Sequence, residues 1–249
     1  MFSVWSAKRN THWKDYNTLF SHDIKYAKKS ARANALYASY LLNELQTSDK
    51  LNNIEKRNYL NNAVKYFNKA LDIYPEYFMA LKNLGNINFV YFKDYNKAEQ
   101  YYLKALKIDS LNADIYLNLG FIKENKNNFT IAEKYYNKAI VIDSLNINAK
   151  SLLANLYFKK GKMDKAIMLN KLMAKIDTNI DLPYINIGNY YLMSQDTVKA
   201  VEYWEKAIMK NKNNPDLLYG LFRYFKQNGD NAKSDYYYKI YMEINEKNK

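Results

Sequence analysis

Small and aromatic residues return along this chain at a fixed interval, and this pattern predicts its architecture. Alanine recurs at Ala63, Ala98, Ala132, Ala166, Ala200 and Ala232, and the four central alanines are 34 residues apart. Twelve residues before the last four come Gly120, Ala154, Gly188 and Gly220. Four residues after the alanines come Phe67, Tyr102, Tyr136, Trp204 and Tyr236, with Asn170 as the exception. Residues four apart share one face of a helix. The interval therefore predicts pairs of helices that approach closely at small residues, with an aromatic ring beside each crossing.

Glycine and proline are scarce, with 6 and 3 residues, as expected for long helices joined by short turns. Four glycines are predicted where paired helices cross, and two in turns: Gly85, Gly120, Gly188 and Gly220 at crossings, Gly161 and Gly229 in turns. No glycine remains for a phosphate-binding loop, so no nucleotide cofactor is expected.

The pattern resembles the tetratricopeptide repeat (TPR), with about six copies covering residues 33–249. The resemblance implies an all-α fold, a right-handed α-solenoid of TPR helix-turn-helix repeats, preceded by a linker or N-terminal cap at residues 1–32. The first copy departs from the pattern, because 25 residues instead of twelve separate Ala38 from Ala63. This insertion predicts longer helices or a polar excursion. The last copy has Lys239 at its second alanine position and a charged tail, which suits the exposed end of a solenoid.

Amino-acid composition excludes some classes of function and disfavours others. Cysteine is absent, so disulfides and thiolate chemistry are excluded. The net charge is +13, but lysine supplies nearly all of it and only four arginines occur. Arginine is the residue that reads phosphates and bases bidentately. A nucleic-acid-binding helical repeat is therefore the third of three hypotheses, after two protein-binding ones. No apolar run is long enough to cross a bilayer.

Asparagines flank the small-residue position of the first helices and suggest a binding groove. They are Asn83, Asn118 and Asn186 two residues before it, and Asn86, Asn155 and Asn189 one residue after it. Amide side chains donate and accept hydrogen bonds, so such a row can pair with an extended peptide backbone. Bracing of neighbouring helices explains the same residues equally well, and both interpretations stay open. Phe89, Phe121 and Phe158 are also predicted near this groove.

Lys82, Asn86 and Asn118 match the first part of the carboxylate clamp with which some repeats of this type hold chaperone tails. Asn148 and Leu152 stand where the second pair of cations would be. Half of the positive charge is therefore missing, and we do not expect chaperone-tail binding.

The opening stretch contains both histidines, His12 and His22, with Asp15 and Asp23 nearby. Two histidines ten residues apart, without a supporting motif, predict neither a metal site nor an acid–base pair. No catalytic residue, cofactor or metal is expected in this chain.

Residues 9–42, "RNTHWKDYNTLFSHDIKYAKKSARANALYASYLL", resemble the segment that joins the last transmembrane helix to the repeats in bacterial (Bacteroidetes-type) transmembrane-and-TPR O-mannosyltransferase-like glycosyltransferases. The matching features are Arg9-Asn10, Trp13, Thr18-Leu19-Phe20, Asp23 and Ser30-Ala31. The resemblance implies a missing upstream membrane portion that would hold any active site. It also implies an extracytoplasmic (periplasmic) location, although seven Lys and Arg against two Asp in residues 8–32 are more typical of the cytoplasmic side.

The leading hypothesis is therefore a non-catalytic protein–protein interaction scaffold, membrane-tethered through upstream helices, that binds a protein or peptide in its concave groove. The alternative from the same residues is a free-standing adaptor that assembles a multiprotein complex.

Overall fold

The computed structural model describes residues 24, 26–48 and 51–247, which form helices joined by short turns. In chain order the helices are α1 (Ala31–Thr47), α2 (Asn53–Ile73), α3 (Phe78–Val90), α4 (Tyr95–Ile108), α5 (Ala113–Asn125), α6 (Phe129–Ile142), α7 (Ile147–Lys159), α8 (Met163–Ile176), α9 (Leu182–Met193), α10 (Thr197–Lys210), α11 (Pro215–Gln227) and α12 (Asn231–Lys247). No strand occurs in this part of the chain. The fold is an all-α array of repeated helix pairs, as the spacing of small and aromatic residues predicts.

The chain divides into two compact units, Met1–Ile122 and Lys123–Lys249. In the first unit, fully buried Ala63 and Phe67 on α2 pack with Ala38 on α1 and Leu84 on α3. In the second unit, α6 to α9 bury one cluster of apolar side chains. A further cluster there lies between α10, α11 and α12. Each unit has its own core.

The backbone repeats more regularly than the sequence does. The turn inside five successive helix pairs contains one residue with positive φ, between 54° and 76°, at Lys93, Asn127, Gly161, Gln195 and Gly229. Each of these positions lies 34 residues after the one before. Gly161 and Gly229 thus occupy turns, as predicted. Lysine, asparagine and glutamine at the other three positions adopt the conformation that glycine adopts most easily.

In four of these five pairs the second helix begins with a side-chain cap. Asp94, Asn128, Asp196 and Asp230 each accept a hydrogen bond from the backbone N–H three residues further on. The backbone N–H of Lys97 lowers the pKa of the Asp94 carboxyl. Lys162 holds the equivalent position before α8 and makes no cap bond. A periodic polar residue therefore starts four of the five helices.

The turn positions correct the predicted alignment of the last copy. Five residues after each of them lie Ala98, Ala132, Ala166, Ala200 and Ser234. Ser234 is buried, whereas Ala232 is exposed, so the assignment of Ala232 to the alanine position is wrong. Tyr236 is likewise 51% exposed, and Tyr237 is the tyrosine that enters the core. Residue type alone gave the wrong alignment, because Ala232 stands two residues before Ser234, and Tyr236 stands two residues before Tyr238, which holds the aromatic position of this copy.

With the corrected alignment of the last copy, Gly220 does not lie at a helix crossing, where it was predicted. A Cβ atom added to Gly220 would meet nothing within 4 Å. A Cβ added to Gly85 would lie 2.5 Å from the ring of Tyr102, and one added to Gly188 would lie 2.5 Å from Trp204. Gly85 and Gly188 therefore allow close helix approach, and Gly220 does not serve that purpose.

The insertion in the first copy lengthens its helices. Helices α1 and α2 contain 17 and 21 residues, against 12 to 14 in α3 to α11. Asn52 and Glu55 form a reciprocal capping box at the start of α2. The polar residues of the insertion thus extend a helical hairpin.

Candidate functional site

All seven predicted groove residues lie on first helices of pairs. In the first unit, Lys82, Asn83 and Asn86 lie on α3 and Asn118 lies on α5. In the second unit, Asn155 lies on α7, and Asn186 and Asn189 lie on α9. Asn189 is exposed and the other six are half-buried. The six half-buried side chains therefore each keep part of their surface exposed to solvent.

A buried tyrosine joins two of these asparagines in the first unit. The hydroxyl of Tyr102, on α4, donates to Oδ1 of Asn86 at 2.8 Å. Nδ2 of Asn118 donates to the same hydroxyl at 3.0 Å. Tyr102 is fully buried, and burial raises the pKa of its hydroxyl. This chain of hydrogen bonds connects α3, α4 and α5.

The other two residues of the first unit differ in their contacts. Nζ of Lys82 lies 3.4 Å from Oδ2 of Asp114 on α5, and the two side chains are 27% and 69% exposed. A half-exposed ion pair of this kind contributes little to stability. For the Asn83 side chain, no hydrogen bond is found within the part of the chain that the structure describes. Asn83 is thus the groove asparagine least committed to bracing.

A larger amide network occupies the second unit. Nδ2 of Asn186 donates to Oδ1 of Asn170 at 3.0 Å, and Nδ2 of Asn170 donates to the backbone carbonyl of Ala166 at 2.9 Å. The hydroxyl of Tyr190 donates to Oδ1 of Asn155 at 2.6 Å. Asn170 is fully buried. Its place as the exception among the aromatic residues is therefore explained by a hydrogen-bonding role, which the spacing alone did not show.

Asn189 has a different partner, the indole of Trp204 on α10. Nε1 of Trp204 donates to Oδ1 of Asn189 at 3.1 Å. Five of the six groove asparagines are thus hydrogen-bonded to other side chains: Asn86, Asn118, Asn155, Asn186 and Asn189. In each case the hydrogen bonds made within the described residues use one end of the amide, either Oδ1 or Nδ2, and the other end remains for a further partner.

The phenylalanines predicted near the groove lie in aromatic contacts. Phe89 on α3 meets Phe121 on α5 edge to face, with 5.3 Å between ring centroids. In the second unit, Phe158 stacks on Tyr190 at 4.5 Å. All three phenylalanines are half-buried. Each ring therefore remains partly exposed to solvent.

Residues 24, 26–48 and 51–247 contain no group of three or more His, Cys, Asp or Glu side chains placed to hold a metal. In those residues, no helix combines the length and hydropathy that crossing a membrane requires. Every buried side-chain nitrogen and oxygen described has a hydrogen-bond partner. His12, His22, Asp15 and Asp23 lie outside the described residues.

Three segments match the sequence profile of the tetratricopeptide repeat: residues 55–77, 80–110 and 113–144. They correspond to α2, to the pair α3–α4 and to the pair α5–α6. These three segments, within residues 55–144, are similar to tetratricopeptide repeats. The 34-residue spacing of positive-φ turns continues past residue 144, so the later pairs keep the same backbone. Proteins with TPR repeats are generally non-catalytic scaffolds for protein–protein interaction.

Several solved structures share this fold. YrrB, described as a TPR protein with an unusual peptide-binding site, has a TM-score of 0.61 and 21% identity, covering 81% of this chain and 96% of YrrB. PilF of Pseudomonas aeruginosa has a TM-score of 0.63 and 20% identity, covering 83% of this chain and 89% of PilF. MamA has a TM-score of 0.56 and 23% identity, covering 65% of this chain and 96% of MamA. Comparison with curated proteins gives no significant match. At these identities the similarity shows the fold alone.

Proposed function

We propose that this chain is a non-catalytic scaffold that binds extended polypeptide along the first helices of its TPR repeats. The proposal rests on one observation: some groove asparagines are bonded within the protein through Oδ1 and others through Nδ2. Asn86 accepts from Tyr102 through Oδ1 and keeps its Nδ2 donor, whereas Asn118 donates through Nδ2 and keeps its Oδ1 acceptor. An extended peptide presents N–H and C=O groups in alternation, so it needs both kinds of partner. The same asparagines thereby brace the helices and present a binding surface.

The second unit offers the same combination. Asn155 and Asn189 keep their Nδ2 donors, because their Oδ1 atoms accept from Tyr190 and Trp204. Asn186 keeps its Oδ1 acceptor. Lys82 and Asn83 add a donor and a further amide in the first unit. The structural similarity to YrrB, a protein with a peptide-binding site, supports the same use here.

Selection from a displayed library of unstructured peptides of about ten residues tests the proposal. Selected peptides are then titrated against the wild-type chain by fluorescence anisotropy. The combined variant Asn83→Ala, Asn118→Ala, Asn186→Ala is expected to weaken binding at least about tenfold, equivalent to 1.4 kcal/mol. The matched control is Asn137→Ala, Asn179→Ala, Asn213→Ala, which changes three exposed asparagines outside the first helices.

Helicity, followed by far-UV circular dichroism, separates binding from folding in both variants. Because Asn118 and Asn186 also brace helices, Asn83→Ala alone is the cleanest single change. Equal affinity of wild type and groove variant would show that these asparagines serve only as structural braces.

We further propose, on the resemblance of residues 9–42, that these repeats form the extracytoplasmic (periplasmic) domain of a bacterial membrane-embedded glycosyltransferase-like protein. The similar structures named above do not bear on this proposal, which rests on those residues alone. Fractionation of source cells, followed by an immunoblot with an antibody against this chain, tests it. A band much heavier than 29.5 kDa in washed membranes is expected. A soluble band near 29.5 kDa would favour the alternative, a free-standing adaptor for a multiprotein complex.

A further inference from the structure

The turn between α11 and α12 contains a pair of residues that occurs nowhere else in the chain, an asparagine followed by a glycine. Asn228 and Gly229 form this pair, whereas the other five glycines follow leucine, lysine, isoleucine or tyrosine. An asparagine before a glycine can react with its own backbone, because glycine has no Cβ to hinder attack by its nitrogen on the side-chain amide. The pair is therefore a candidate site of chemical modification.

The repeat shows how this turn differs from the others. The residue before the positive-φ position of the five turns is Phe92, Lys126, Lys160, Ser194 and Asn228. Of these five, only Asn228 has a side-chain amide, and the glycine after it has a φ of 76°. Asn127 itself occupies a positive-φ position, but Asn128 follows it, and the Asn128 side chain hinders attack. Among the five turns, only the last combines an amide with an unhindered backbone nitrogen.

The backbone nitrogen of Gly229 is held more weakly than its counterparts in three other turns. Its N–H donates to the backbone carbonyl of Lys226 at 3.4 Å. The corresponding bonds from Asn127, Gly161 and Gln195 are each 2.9 Å long. A nitrogen–oxygen distance of 3.4 Å lies outside the usual range of about 2.7–3.2 Å, so little energy is lost when the Gly229 nitrogen leaves its partner. Both residues of the pair are exposed, and water reaches them.

One contact of the Asn228 side chain opposes the reaction while the turn is closed. Nδ2 of Asn228 donates to the backbone carbonyl of Tyr224 at 2.8 Å, which holds the amide against the last turn of α11. The amide must leave this carbonyl before its Cγ atom can meet the nitrogen of Gly229. Opening an exposed helix end costs little free energy compared with unfolding the chain. The end of α11 thus controls how often the two atoms meet.

We propose that Asn228 is a site of spontaneous deamidation, which converts it to isoaspartate or aspartate. The backbone nitrogen of Gly229 loses its proton and attacks Cγ of Asn228. The N–Cγ bond forms, the Cγ–Nδ2 bond breaks, and Nδ2 leaves as ammonia. Water then opens the cyclic imide. Its attack at the backbone carbonyl carbon of Asn228 breaks the bond from that carbon to the Gly229 nitrogen and gives isoaspartate, whereas its attack at Cγ gives aspartate. Water is the only co-reactant, and nothing is oxidised or reduced.

Both products weaken the turn that pairs α11 with α12. The amide donor is replaced by a carboxylate, so the hydrogen bond to the Tyr224 carbonyl is lost. The carboxylate also places negative charge at the C-terminal end of α11, where the helix dipole disfavours it. Isoaspartate further lengthens the main chain by one carbon atom close to Asp230, which caps α12 through the backbone N–H of Lys233. Deamidation therefore loosens the helix pair that closes the core cluster between α10, α11 and α12.

Incubation of the whole chain in mildly alkaline buffer, followed by peptide mapping with mass spectrometry, tests the proposal. Deamidation at position 228 is expected to be at least about tenfold faster than at Asn127, the exposed asparagine of an earlier turn. The rate should rise with pH, because the attacking nitrogen must lose its proton. The rate should rise further in concentrated urea, because unfolding breaks the hydrogen bond from Asn228 to Tyr224.

Gly229→Asn is the matched variant. It puts asparagine at the positive-φ position, as Asn127 already does between α5 and α6, so the turn is kept while attack is hindered. This variant should keep the helicity of the wild-type chain and slow deamidation at position 228 at least about tenfold. Asn228→Asp reproduces one product, and it should unfold at a lower urea concentration with an unchanged m-value.

Three results would overturn the proposal. Asn228 that stays intact in the folded chain but reacts in urea would show that the closed turn protects it fully. Equal deamidation in wild type and Gly229→Asn would show that the glycine is not required. Unchanged stability, both in Asn228→Asp and in a chain already deamidated at this position, would refute the predicted loosening of α11 and α12.

Discussion

Gly85 on α3 lies against the ring of Tyr102, and adding a single methyl group there tests how the paired helices are held together. In Gly85→Ala the new Cβ would lie 2.5 Å from Cε1 and 2.6 Å from Cδ1 of Tyr102. The ring has no room to move aside, because Tyr102 is fully buried and its hydroxyl is held by Asn86 and Asn118. The helices must therefore separate or the tyrosine must give up its bonds.

The magnitude follows from three contributions. Overpacking of a filled core costs about 1–3 kcal/mol. Displacement of the hydroxyl weakens two hydrogen bonds that are worth about 1 kcal/mol each. Alanine has a higher helix propensity than glycine, which stabilises the variant by about 1 kcal/mol. We expect Gly85→Ala to lower the free energy of unfolding by about 2 kcal/mol.

Gly220→Ala is the matched control, since Gly220 also lies inside a helix and its new Cβ would meet nothing. This variant should raise the free energy of unfolding by about 1 kcal/mol. Urea unfolding followed by circular dichroism measures both, with unchanged m-values as the check on comparable transitions.

A second control removes the ring. In a Tyr102→Leu background, Gly85→Ala should cost much less, because the atoms that it would strike are gone. Stabilisation by Gly85→Ala in the wild-type chain, equal to that of Gly220→Ala, would refute the argument that Tyr102 requires a glycine.

Three further changes test other parts of the structure. Asn170→Ala should lower the free energy of unfolding by about 2–3 kcal/mol, because Asn186 and the backbone carbonyl of Ala166 lose a buried partner; urea unfolding measures it. Lys162→Asn should raise the free energy of unfolding by about 1 kcal/mol, because asparagine supplies the cap that α8 lacks. Thermal unfolding should show this as a higher melting temperature. Burial raises the pKa of Tyr190 from its ordinary 10.0 to about 12. The folded chain therefore favours the neutral hydroxyl. The contribution of this preference to the free energy of unfolding is complete below pH 10 and is lost as the pH rises through 12. Tyr190→Phe should reduce that loss, measured by urea unfolding across this pH range.

Each of these predictions has an outcome that contradicts it. Asn137→Ala changes an exposed residue on α6 and is the control for Asn170→Ala. Equal losses in the free energy of unfolding would show that the buried amide network contributes no more to stability than an exposed asparagine. For Lys162→Asn, an unchanged melting temperature would mean that α8 begins without need of a side-chain cap. An unaltered alkaline dependence in Tyr190→Phe would show that other buried tyrosines control it.

The architecture was predictable because a TPR repeat is built from local contacts. Ala98, Gly188 and Tyr136 each meet neighbours on the same helix pair or the next one, so the constraints recur at a short, fixed interval and show in the sequence. Prediction failed where that interval was followed by residue type alone. Ala232 and Gly220 had the expected identities, but the turn at Gly229 places Ser234 in the core instead.

The groove asparagines show a different limit. Their positions on the first helices followed from the repeat, but their partners did not. Tyr102 lies 16 residues from both Asn86 and Asn118, and Asn155 lies 35 residues from Tyr190. An amide that braces helices and one that binds a peptide have the same sequence signature, because both donate and accept hydrogen bonds.

The sequence by itself thus determined the repeated helix pairs, the presence of an insertion in the first copy and the lysine-rich charge. Small and aromatic residues at a constant spacing can bury their side chains in one kind of helix packing. Only the tertiary structure decided which amides are already bonded, which glycines lie at crossings and which aromatic rings stay exposed on α12. Those properties depend on what lies opposite a residue in space: Tyr102 lies against Gly85, whereas a Cβ added to Gly220 would meet nothing within 4 Å.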